Sequence, residues 1–334
     1  MTALIDDYDG AFFDLDGVIY ISAHAVDGAV DAMAALVARG VRVLYVTNNA
    51  ARDAQTVIDQ LTSLGFAADA DTVLTSAQVG AAELARALPS GAKVLVAGSR
   101  NLVDLVAAAG LAPVFSADDE PVAVIQGYDP TLTWPMLDEV CLALQRGARW
   151  YATNGDLSRP TDRGLVPGVG GMIAAVAAAV GGEPITFGKP FRPMLDEAVR
   201  RSGASRPIFV GDRLDTDVVG ANRAGLDSLL VFSGAHGKAE LVLADASHRP
   251  TFIGADVRAL LEPPRVAQVS EEASRCGAAT ATIADGEVRL SSVPPTRAGQ
   301  LDAVWAVATL AWRQADAGHP VATRAALAPL TLVR

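Results

Sequence analysis

Cysteine is scarce in this sequence of 334 residues, which contains only Cys141 and Cys276. Two isolated cysteines can form neither the disulfide framework of a small secreted domain nor a zinc site. The four histidines also lack the spacing of a metal site. We therefore expect both thiols to be ordinary core residues of a protein in the reducing cytoplasm.

Long apolar segments are absent as well. The longest uninterrupted apolar run covers residues 172–180, nine in all, and is followed by Gly181 and Gly182. A membrane-spanning helix needs about 20 such residues. The first ten residues are acidic and have neither the basic nor the apolar region of a signal peptide. We expect a soluble protein with no membrane partner.

Basic charge is in deficit, with 27 Lys and Arg against 38 Asp and Glu and a net charge of −11. Because no broad positive field is available, we do not expect nucleic acid as a partner. A small anionic substrate is still compatible, since it needs only one local positive site. The sequence has no serine nucleophile elbow and no P-loop, which argues against an esterase and a nucleoside triphosphatase.

Apolar residues make up 51% of the chain, and the length suits two domains with an accessory piece. Short apolar or β-branched runs alternate with Ala-rich segments of helical period that end at glycine. This alternation predicts an α/β fold with a doubly wound parallel sheet covered on both faces. Strands are expected at residues 11–16, 41–47, 92–98, 121–127, 149–153, 184–188, 206–212 and 227–232.

The C-terminal part of the sequence has a different pattern. A linker at residues 262–266 contains two adjacent prolines, which favour the end of a helix. Beyond it we predict a hairpin around Asp285 and Gly286 and a helix over residues 301–315. Residues 265–334 are thus expected to form a small α+β appendage, to which the sequence assigns no chemistry.

Two carboxylates stand at the end of the first predicted strand. Asp14 and Asp16 follow three apolar residues, and strand residues two apart point to the same face. They would converge at the carboxyl edge of the sheet, where open α/β sheets bind ligands. Gly17 then allows a sharp turn that brings backbone N–H groups close. The alternative for this motif alone is a turn with solvated carboxylates.

A second polar motif, Thr47-Asn48-Asn49, directly follows the strand at 41–47. A hydroxyl, amides and free backbone N–H groups at such a point suit phosphate oxygens. The alternative is that these residues cap the N-terminus of the following helix, which is the commonest use of such residues. The motif taken alone favours the cap.

Two further motifs complete the pattern. Lys189, between Gly188 and Pro190, follows the strand at 184–188 and would place a positive charge in the crevice. Asp212 follows the strand at 206–212, and Asp217 begins the next helix, where it could be a cap alone. If the four strands share one sheet edge, the aspartates need a cation, and oxygen ligands without His or Cys indicate Mg²⁺. Lys189 and Thr47 would then face an anion.

The stretches DLDGVIY, TNN, FGKP and VGDRLDTD resemble, in this order and spacing, the four motifs of the haloacid dehalogenase-like (HAD) phosphatases. The resemblance covers about residues 8–262 and is greatest to the subgroup of NagD, pyridoxal phosphatase and phosphoglycolate phosphatase, the 4-nitrophenyl phosphatases. It implies a Rossmann-like core and a phosphoric monoester hydrolase acting through an aspartyl-phosphate. The expected substrate is a small phosphomonoester, with glycerol 3-phosphate favoured over phosphoglycolate or pyridoxal phosphate.

The resemblance also implies a role for each matched residue. Asp14 would be the nucleophile, and Asp16 would protonate the leaving alcohol and then deprotonate the attacking water. The metal, Mg²⁺ with Mn²⁺ or Co²⁺ as substitutes, would be held by Asp14, Asp212 and the backbone carbonyl of Asp16. Asp217 would support Lys189 or a metal-bound water. The phosphate would be bound by Thr47, Asn48 and the catalytic Lys189, with Gly17 and Asn49 beside them.

The spacing of the motifs places an inserted domain. Ala50 to Gly188 spans 139 residues, far more than one βα unit, so we predict an α/β cap at residues 91–182. The catalytic core would then comprise residues 1–90 and 183–264. A cap of this kind excludes water and selects the leaving group.

Within the cap, an irregular loop follows the strand at 149–153, and the resemblance makes it the substrate-facing loop. Asn154 and Asp156 are its candidate contacts, and no aromatic residue follows until beyond Gly182, which favours a glycerol-like polyol over a cofactor ring. The glycine-rich stretch 168–171 does not fit a dinucleotide fingerprint, because no apolar strand precedes it. A homo-oligomer is compatible with all of this.

Two other functions share part of this pattern. A haloacid dehalogenase has the same fold, but carbon–halogen cleavage needs neither an acid two residues after the nucleophile nor a set of metal ligands. A phosphoacceptor switch also joins aspartates, a Thr and a Lys around Mg²⁺. Such receivers have about 120 residues and no cap, so the long insertion argues against one.

Overall fold

The computed structural model describes residues 2–161 and 163–334, and its largest sheet is parallel, as predicted. The strands of this sheet pair in parallel register, for example Gly10↔Pro207 on one side and Gly10↔Arg42 on the other. The fold class is therefore confirmed as α/β. In sheet order the six strands are Phe252–Gly254, Asp227–Val231, Pro207–Gly211, Gly10–Phe13, Arg42–Thr47 and Val73–Thr75.

The central strand, Gly10–Phe13, is fully buried, as its uninterrupted apolar sequence predicts. Its two neighbours are Pro207–Gly211 and Arg42–Thr47, so motif residues stand at the carboxyl ends of three adjacent strands. That edge is where a doubly wound sheet binds its ligand. The strand at Phe252–Gly254 has no counterpart among the predicted strands, because three residues carry too little periodicity.

The contacts within the chain divide it into two compact units. The first comprises Met1–Tyr45, Ser63–Ala67 and Ser202–Arg334, and the second comprises Val46–Thr62 and Ala68–Arg201. These boundaries differ from the predicted core and cap, which were drawn from motif spacing; the division at 91–182 stays a prediction.

The second unit contains a parallel sheet of its own. Three of its strands, at 93–97, 123–126 and 149–152, match strands predicted for the cap. The strand at 185–186 also belongs here, since Ile185 pairs with Tyr151. The expectation that all four motif strands share one sheet is therefore wrong for the strand before Lys189: an apolar run does not reveal which sheet it joins. The sheet order is Ile185–Thr186, Arg149–Ala152, Ala123–Gln126, Lys93–Ala97 and Ala112–Val114.

Helices connect the parallel strands in both units, and the described residues also form two short antiparallel ribbons. The ribbons pair Tyr20–Ile21 with His24–Ala25 and Ser158–Thr161 with Gly164–Pro167. The α-helices are Ala29–Ala38, Ala54–Ser63, Ser76–Ala87, Arg100–Ala108, Trp134–Gln145, Val169–Val180, Arg192–Ser202, Val219–Ala224, Lys238–Val242, Arg297–Asp316 and Arg324–Leu327. Shorter turns are the 3₁₀-helices Leu4–Asp7, Ala117–Asp119, Ala246–His248 and Val257–Leu261 and the π-helix Leu214–Val218.

The C-terminal appendage is an antiparallel sheet with one long helix, as predicted. Asp285 and Gly286 form the expected hairpin turn, with φ values of 54° and 76° that suit a two-residue loop. The helix Arg297–Asp316 shares one apolar core with Leu214, Leu230 and Leu241 of the first unit. The appendage therefore lies within the first unit, and its helix belongs to that unit's apolar core. Its strands are Ala267–Val269, Ala273–Cys276, Ala279–Ala284 and Glu287–Leu290.

Both cysteines are free thiols. Cys276 is a buried core residue, and burial, with a smaller effect of Asp302, raises its pKa to about 11. A thiol that stays protonated at neutral pH is inert, which agrees with the structural part predicted for it. Among the described residues, no helix combines the length and the apolar character needed to cross a bilayer.

Candidate active site

Three aspartates of the first unit converge at the edge of its sheet. Asp14, Asp212 and Asp217 each offer one carboxylate oxygen, and these three atoms lie within 4.8 Å of one another. The sheet causes this convergence, since Asp14 and Asp212 follow adjacent strands and the backbone N–H of Asp14 donates to Val210 at 2.9 Å. Carboxylates so close together repel unless a cation joins them. An all-oxygen donor set fits Mg²⁺, so the residues present suit the predicted metal.

Asp217 does more than cap a helix. It lies in the π-helical turn Leu214–Val218, and its Oδ2 accepts hydrogen bonds of 3.1 Å from the backbone N–H groups of Asp212 and Arg213. A Cβ on Gly211 would come 2.2 Å from the Cβ of Asp217, so this approach requires a glycine. The alternative that Asp217 is a helix cap alone is wrong, because it fixes the strand end that carries Asp212.

A loop at residues 233–238, which we call the aspartate loop, contacts Asp212 from another side. The backbone N–H of Ala235 donates to Asp212 Oδ2 at 2.5 Å, and the Ser233 hydroxyl donates to the Gly17 carbonyl at 2.7 Å. A Cβ on Gly17 would lie 2.3 Å from Asp212 Oδ2, and Gly17 has a φ of +85° that favours glycine. Sequence reasoning missed this loop, whose only signal is a pair of glycines after a strand.

We expect Gly234→Ala to weaken Mg²⁺ binding about tenfold or more. The new Cβ would come 1.9 Å from Asp212 Oδ2, so either the loop or the carboxylate must move. Calorimetric titration with Mg²⁺ measures the change, and circular dichroism checks that the fold is kept. An unchanged affinity would show that the aspartate loop does not fix Asp212.

Asp16 is arranged differently from the three clustered aspartates. Along the motif, Asp14 is half-buried, Leu15 is fully buried and Asp16 is exposed. The carboxylate of Asp16 is thus accessible to a substrate and lies outside the cluster that could hold a metal. The acid–base role of Asp16 stays a prediction.

The second unit brings the remaining motif residues together around Asn48. Its Oδ1 accepts the backbone N–H of Lys189 at 2.8 Å, while its Nδ2 donates to the Lys189 carbonyl at 2.9 Å and to Asp156 Oδ1 at 3.2 Å. Lys189 is 2% exposed, and its Nζ donates to the Val46 carbonyl at 3.4 Å. Asn48 therefore holds the backbone of the lysine motif, which its sequence position alone does not reveal.

Thr47 and Asn49 make local bonds beside Asn48. The buried Thr47 hydroxyl accepts the backbone N–H of Asn49 at 3.1 Å, and the exposed Asn49 accepts that of Ala51 at 3.1 Å. The following helix begins at Ala54, and its first turn is capped by Asp53, whose Oδ1 accepts the Thr56 N–H at 2.6 Å. The alternative that residues 47–49 cap this helix is wrong.

The predicted substrate loop is joined to the same network. Asn154 is buried, its Nδ2 donates to the Asn48 carbonyl at 2.8 Å, and its Oδ1 accepts the Asp156 N–H at 3.1 Å. The first turn of the helix that begins at Val169 is bonded to the loop, since the Gly170 N–H donates to the Asp156 carbonyl at 2.9 Å. Gly168 and Gly170 allow this close approach, since a Cβ on Gly168 would lie 2.2 Å from the Asp156 carbonyl oxygen and one on Gly170 2.4 Å from that of Gly155.

Comparison with known proteins settles the family. Residues 11–112 match the family model of haloacid dehalogenase-like hydrolases, and residues 186–260 match a second HAD-hydrolase-like model. The D-glycerol 3-phosphate phosphatase of Mycobacterium tuberculosis is 42% identical over 272 residues, which are 81% of this chain and 76% of that protein. The chain belongs to the haloacid dehalogenase-like hydrolases.

Solved structures agree with this assignment. The crystal structure of the M. tuberculosis glycerol phosphate phosphatase in complex with magnesium superposes with a TM-score of 0.88 at 37% identity, covering 99% of this chain and 100% of that one. A p-nitrophenyl phosphatase from Archaeoglobus fulgidus gives a TM-score of 0.71 at 27% identity, over 76% and 98% of the two chains. The predicted resemblance to the NagD and 4-nitrophenyl phosphatase type is confirmed.

A third relative widens the range of leaving groups. The 5'-nucleotidase YutF of Bacillus subtilis is 32% identical over 246 residues, 73% of this chain and 94% of that protein. All three relatives are named as phosphomonoester hydrolases, and we assign this chain to the same enzyme class.

Proposed function

We propose that this protein hydrolyses glycerol 3-phosphate to glycerol and phosphate in a Mg²⁺-dependent reaction through an aspartyl-phosphate. The observation that carries the proposal is the convergence of Asp14, Asp212 and Asp217 within 4.8 Å. A relative that is 42% identical and named for this substrate supports the choice of leaving group. The free thiols agree with a cytoplasmic location.

The chemical steps are assigned to Asp14 and Asp16. A carboxylate oxygen of Asp14 attacks phosphorus, and the bond from phosphorus to the glycerol oxygen breaks as Asp16 donates a proton to that oxygen. Asp16 then takes a proton from water, whose oxygen attacks the phosphorus of the aspartyl-phosphate and restores the Asp14 carboxylate. The exposure of Asp16 suits both proton transfers, which need contact with the leaving group and with water.

Mg²⁺ would be held by the carboxylates of Asp14 and Asp212 and by the backbone carbonyl of Asp16. When bound, the ion supplies charge that neutralises the phosphoryl oxygens during transfer. Asp217 supports this arrangement through the backbone N–H groups of Asp212 and Arg213. Mn²⁺ or Co²⁺ would substitute because both accept oxygen ligands in octahedral geometry.

The phosphoryl group would be bound by Thr47, Asn49 and Lys189, with Gly17 turning the chain beside Asp16. Lys189 contributes a compact positive charge that offsets the negative charge of the phosphate. For Asn48 we propose an indirect part, since both ends of its amide are bonded to the protein and hold Lys189. A small phosphorylated metabolite is the proposed partner.

Substrate selection is proposed for the loop at Asn154 and Asp156, within the cap predicted at residues 91–182. Groups that bind only the phosphoryl moiety cannot discriminate among phosphomonoesters, so discrimination requires polar groups that the wrong leaving group would leave unpaired. Asn154 would position the loop, because it is buried and bonded to Asn48. Asp156 is only half-buried and would accept a hydroxyl of glycerol.

We expect Asp156→Ala to lower kcat/KM for glycerol 3-phosphate about 10- to 100-fold and that for 4-nitrophenyl phosphate less than about threefold. The aryl ester has no hydroxyl that needs the carboxylate. Steady-state phosphate release measures both, and Glu183→Ala, which removes an exposed carboxylate of the same unit, is the control. Equal losses on both substrates would instead assign Asp156 to the support of Asn48 and Lys189.

The proposed function is tested by phosphate release from a panel of esters. The panel contains glycerol 3-phosphate, phosphoglycolate, pyridoxal phosphate, a nucleoside 5'-monophosphate and 4-nitrophenyl phosphate, each with Mg²⁺ and with EDTA. We expect the highest metabolite kcat/KM with glycerol 3-phosphate and no activity in EDTA. A preference for another metabolite would overturn the substrate. The proposed reaction would be overturned if no ester released phosphate and the protein instead released halide from a haloacid. It would also be overturned if the protein formed a stable phosphoprotein without releasing phosphate.

A further inference from the structure

The chain segment at residues 330–334, which we call the tail segment, is bonded to the aspartate loop. The backbone N–H of Lys238 donates to the Arg334 carbonyl at 2.8 Å, and Lys238 Nζ donates to the carbonyls of Leu330, at 2.8 Å, and Val333. The guanidinium of Arg334 donates in turn to the Gly234 carbonyl. Both ends of the aspartate loop are thus held by the tail segment.

The tail segment is the last part of the appendage and is fixed to the rest of it. The backbone N–H of Leu332 donates to Gln300 Oε1 at 2.8 Å, and Gln300 is a buried residue of the long helix Arg297–Asp316. Leu330 and Val333 are 0% and 2% exposed and belong to the apolar core that also contains Leu214, Leu230 and Leu241. The tail segment is therefore held in place by both a hydrogen bond and apolar packing.

Besides its bonds to the tail segment, the aspartate loop contacts Asp212. Besides the bond from Ala235 to Asp212 Oδ2, the His236 N–H donates to the Asp212 carbonyl at 3.1 Å. The Nδ1 of His236 accepts the Leu214 N–H at 2.8 Å, which ties the loop to the turn that carries Asp217. Bonds to a metal-ligating carboxylate orient it and tune its affinity for the ion.

We infer that the C-terminal appendage positions the metal-binding carboxylate of Asp212. It does so through two contacts between the tail segment and the aspartate loop, one made by Arg334 of the tail segment and one by Lys238 of the aspartate loop. This inference rests on the proposed function only in that Asp212 binds Mg²⁺. Arg334 and Lys238 are positioning residues, since neither is assigned a contact with the metal or the phosphate. The appendage would thus support metal binding, although it lies outside the four family motifs.

The test measures Mg²⁺ affinity by calorimetry on the full chain, without substrate. We expect Arg334→Ala and Lys238→Met to raise the dissociation constant for Mg²⁺ about three- to tenfold, less than the roughly 10- to 100-fold typical of a direct partner of a metal ligand. Arg334→Lys keeps a donor and should fall between wild type and Arg334→Ala. The matched control is Arg324→Ala, which removes an exposed arginine of the same appendage.

Thermal melting separates positioning from mere packing. A positioning role predicts a smaller rise in Tm on addition of Mg²⁺ for Arg334→Ala and Lys238→Met than for wild type. Unchanged Mg²⁺ affinity in both variants, with Tm lowered equally in EDTA and in Mg²⁺, would overturn the inference. Wild-type protein that binds no Mg²⁺ would overturn the proposed metal site itself, so the two failures are distinguishable.

Discussion

Asp14→Asn should abolish turnover, with kcat lowered by at least about 1,000-fold, while the protein stays folded. An amide is nearly isosteric with the carboxylate but cannot form the aspartyl-phosphate. The substitution also removes one of three carboxylates within 4.8 Å, so the free energy of unfolding should hold or rise in the absence of metal. Phosphate release and urea denaturation in EDTA measure the two effects.

Asp16→Asn is the matched comparison for this variant. It keeps the nucleophile and removes the acid, so the first chemical step on 4-nitrophenyl phosphate, whose leaving group needs little protonation, should be nearly preserved. A burst of 4-nitrophenol followed by slow turnover is expected, because the second step lacks its base. Asp14→Asn should show no burst. An Asp14→Asn enzyme with more than a few per cent of the wild-type rate would place the nucleophile elsewhere.

Asp212→Asn should raise the Mg²⁺ concentration needed for half-maximal activity by at least about tenfold. The amide keeps an oxygen that can accept the Ala235 N–H, so the loss reports mainly on the missing negative charge. Titrating phosphate release against Mg²⁺ measures it. Ca²⁺ should inhibit the wild type, because it takes more ligands at longer distances than Mg²⁺.

Asp215→Asn is the control for the charge change at this strand end. Asp215 is exposed and bonds the Arg213 guanidinium at 2.7 and 3.1 Å. Burial raises the pKa of Asp215, but Arg213 outweighs it and holds the pKa below the usual range. We expect its Mg²⁺ requirement to stay within about twofold of wild type. If Asp212→Asn and Asp215→Asn raised the Mg²⁺ requirement equally, the cause would be a general loss of negative charge. That result would contradict the assignment of Asp212 as a metal ligand.

The parallel sheet was predictable because buried parallel strands are continuous apolar runs. The apolar composition of Gly10–Phe13 and Pro207–Gly211 predicts buried strands, and the polar residues that follow them indicate the carboxyl edge of the sheet. The convergence of Asp14 and Asp212 follows from that edge alone. The hairpin at Asp285 and Gly286 was predictable for a similar reason, since its turn chemistry is local.

Tertiary contacts decided what the sequence could not. The strand Ile185–Thr186 is too short to show which sheet it joins, so Lys189 was assigned to the wrong one. Asn48 has the sequence position of a phosphate ligand or a cap, yet its bonds to Lys189 span 141 positions in the chain. The aspartate loop has no motif at all, and its contact with Asp212 exists only in the folded chain.

Trapping the covalent intermediate tests the central claim most directly. Wild-type enzyme with Mg²⁺ is mixed with ³²P-labelled glycerol 3-phosphate, quenched with acid during the first turnovers and mapped by peptide. Borohydride reduction of a second sample converts an aspartyl-phosphate to homoserine. We predict label on the peptide that contains Asp14, with homoserine at position 14. Label on any other residue, or turnover without trapped phosphate over the whole time course, would contradict it.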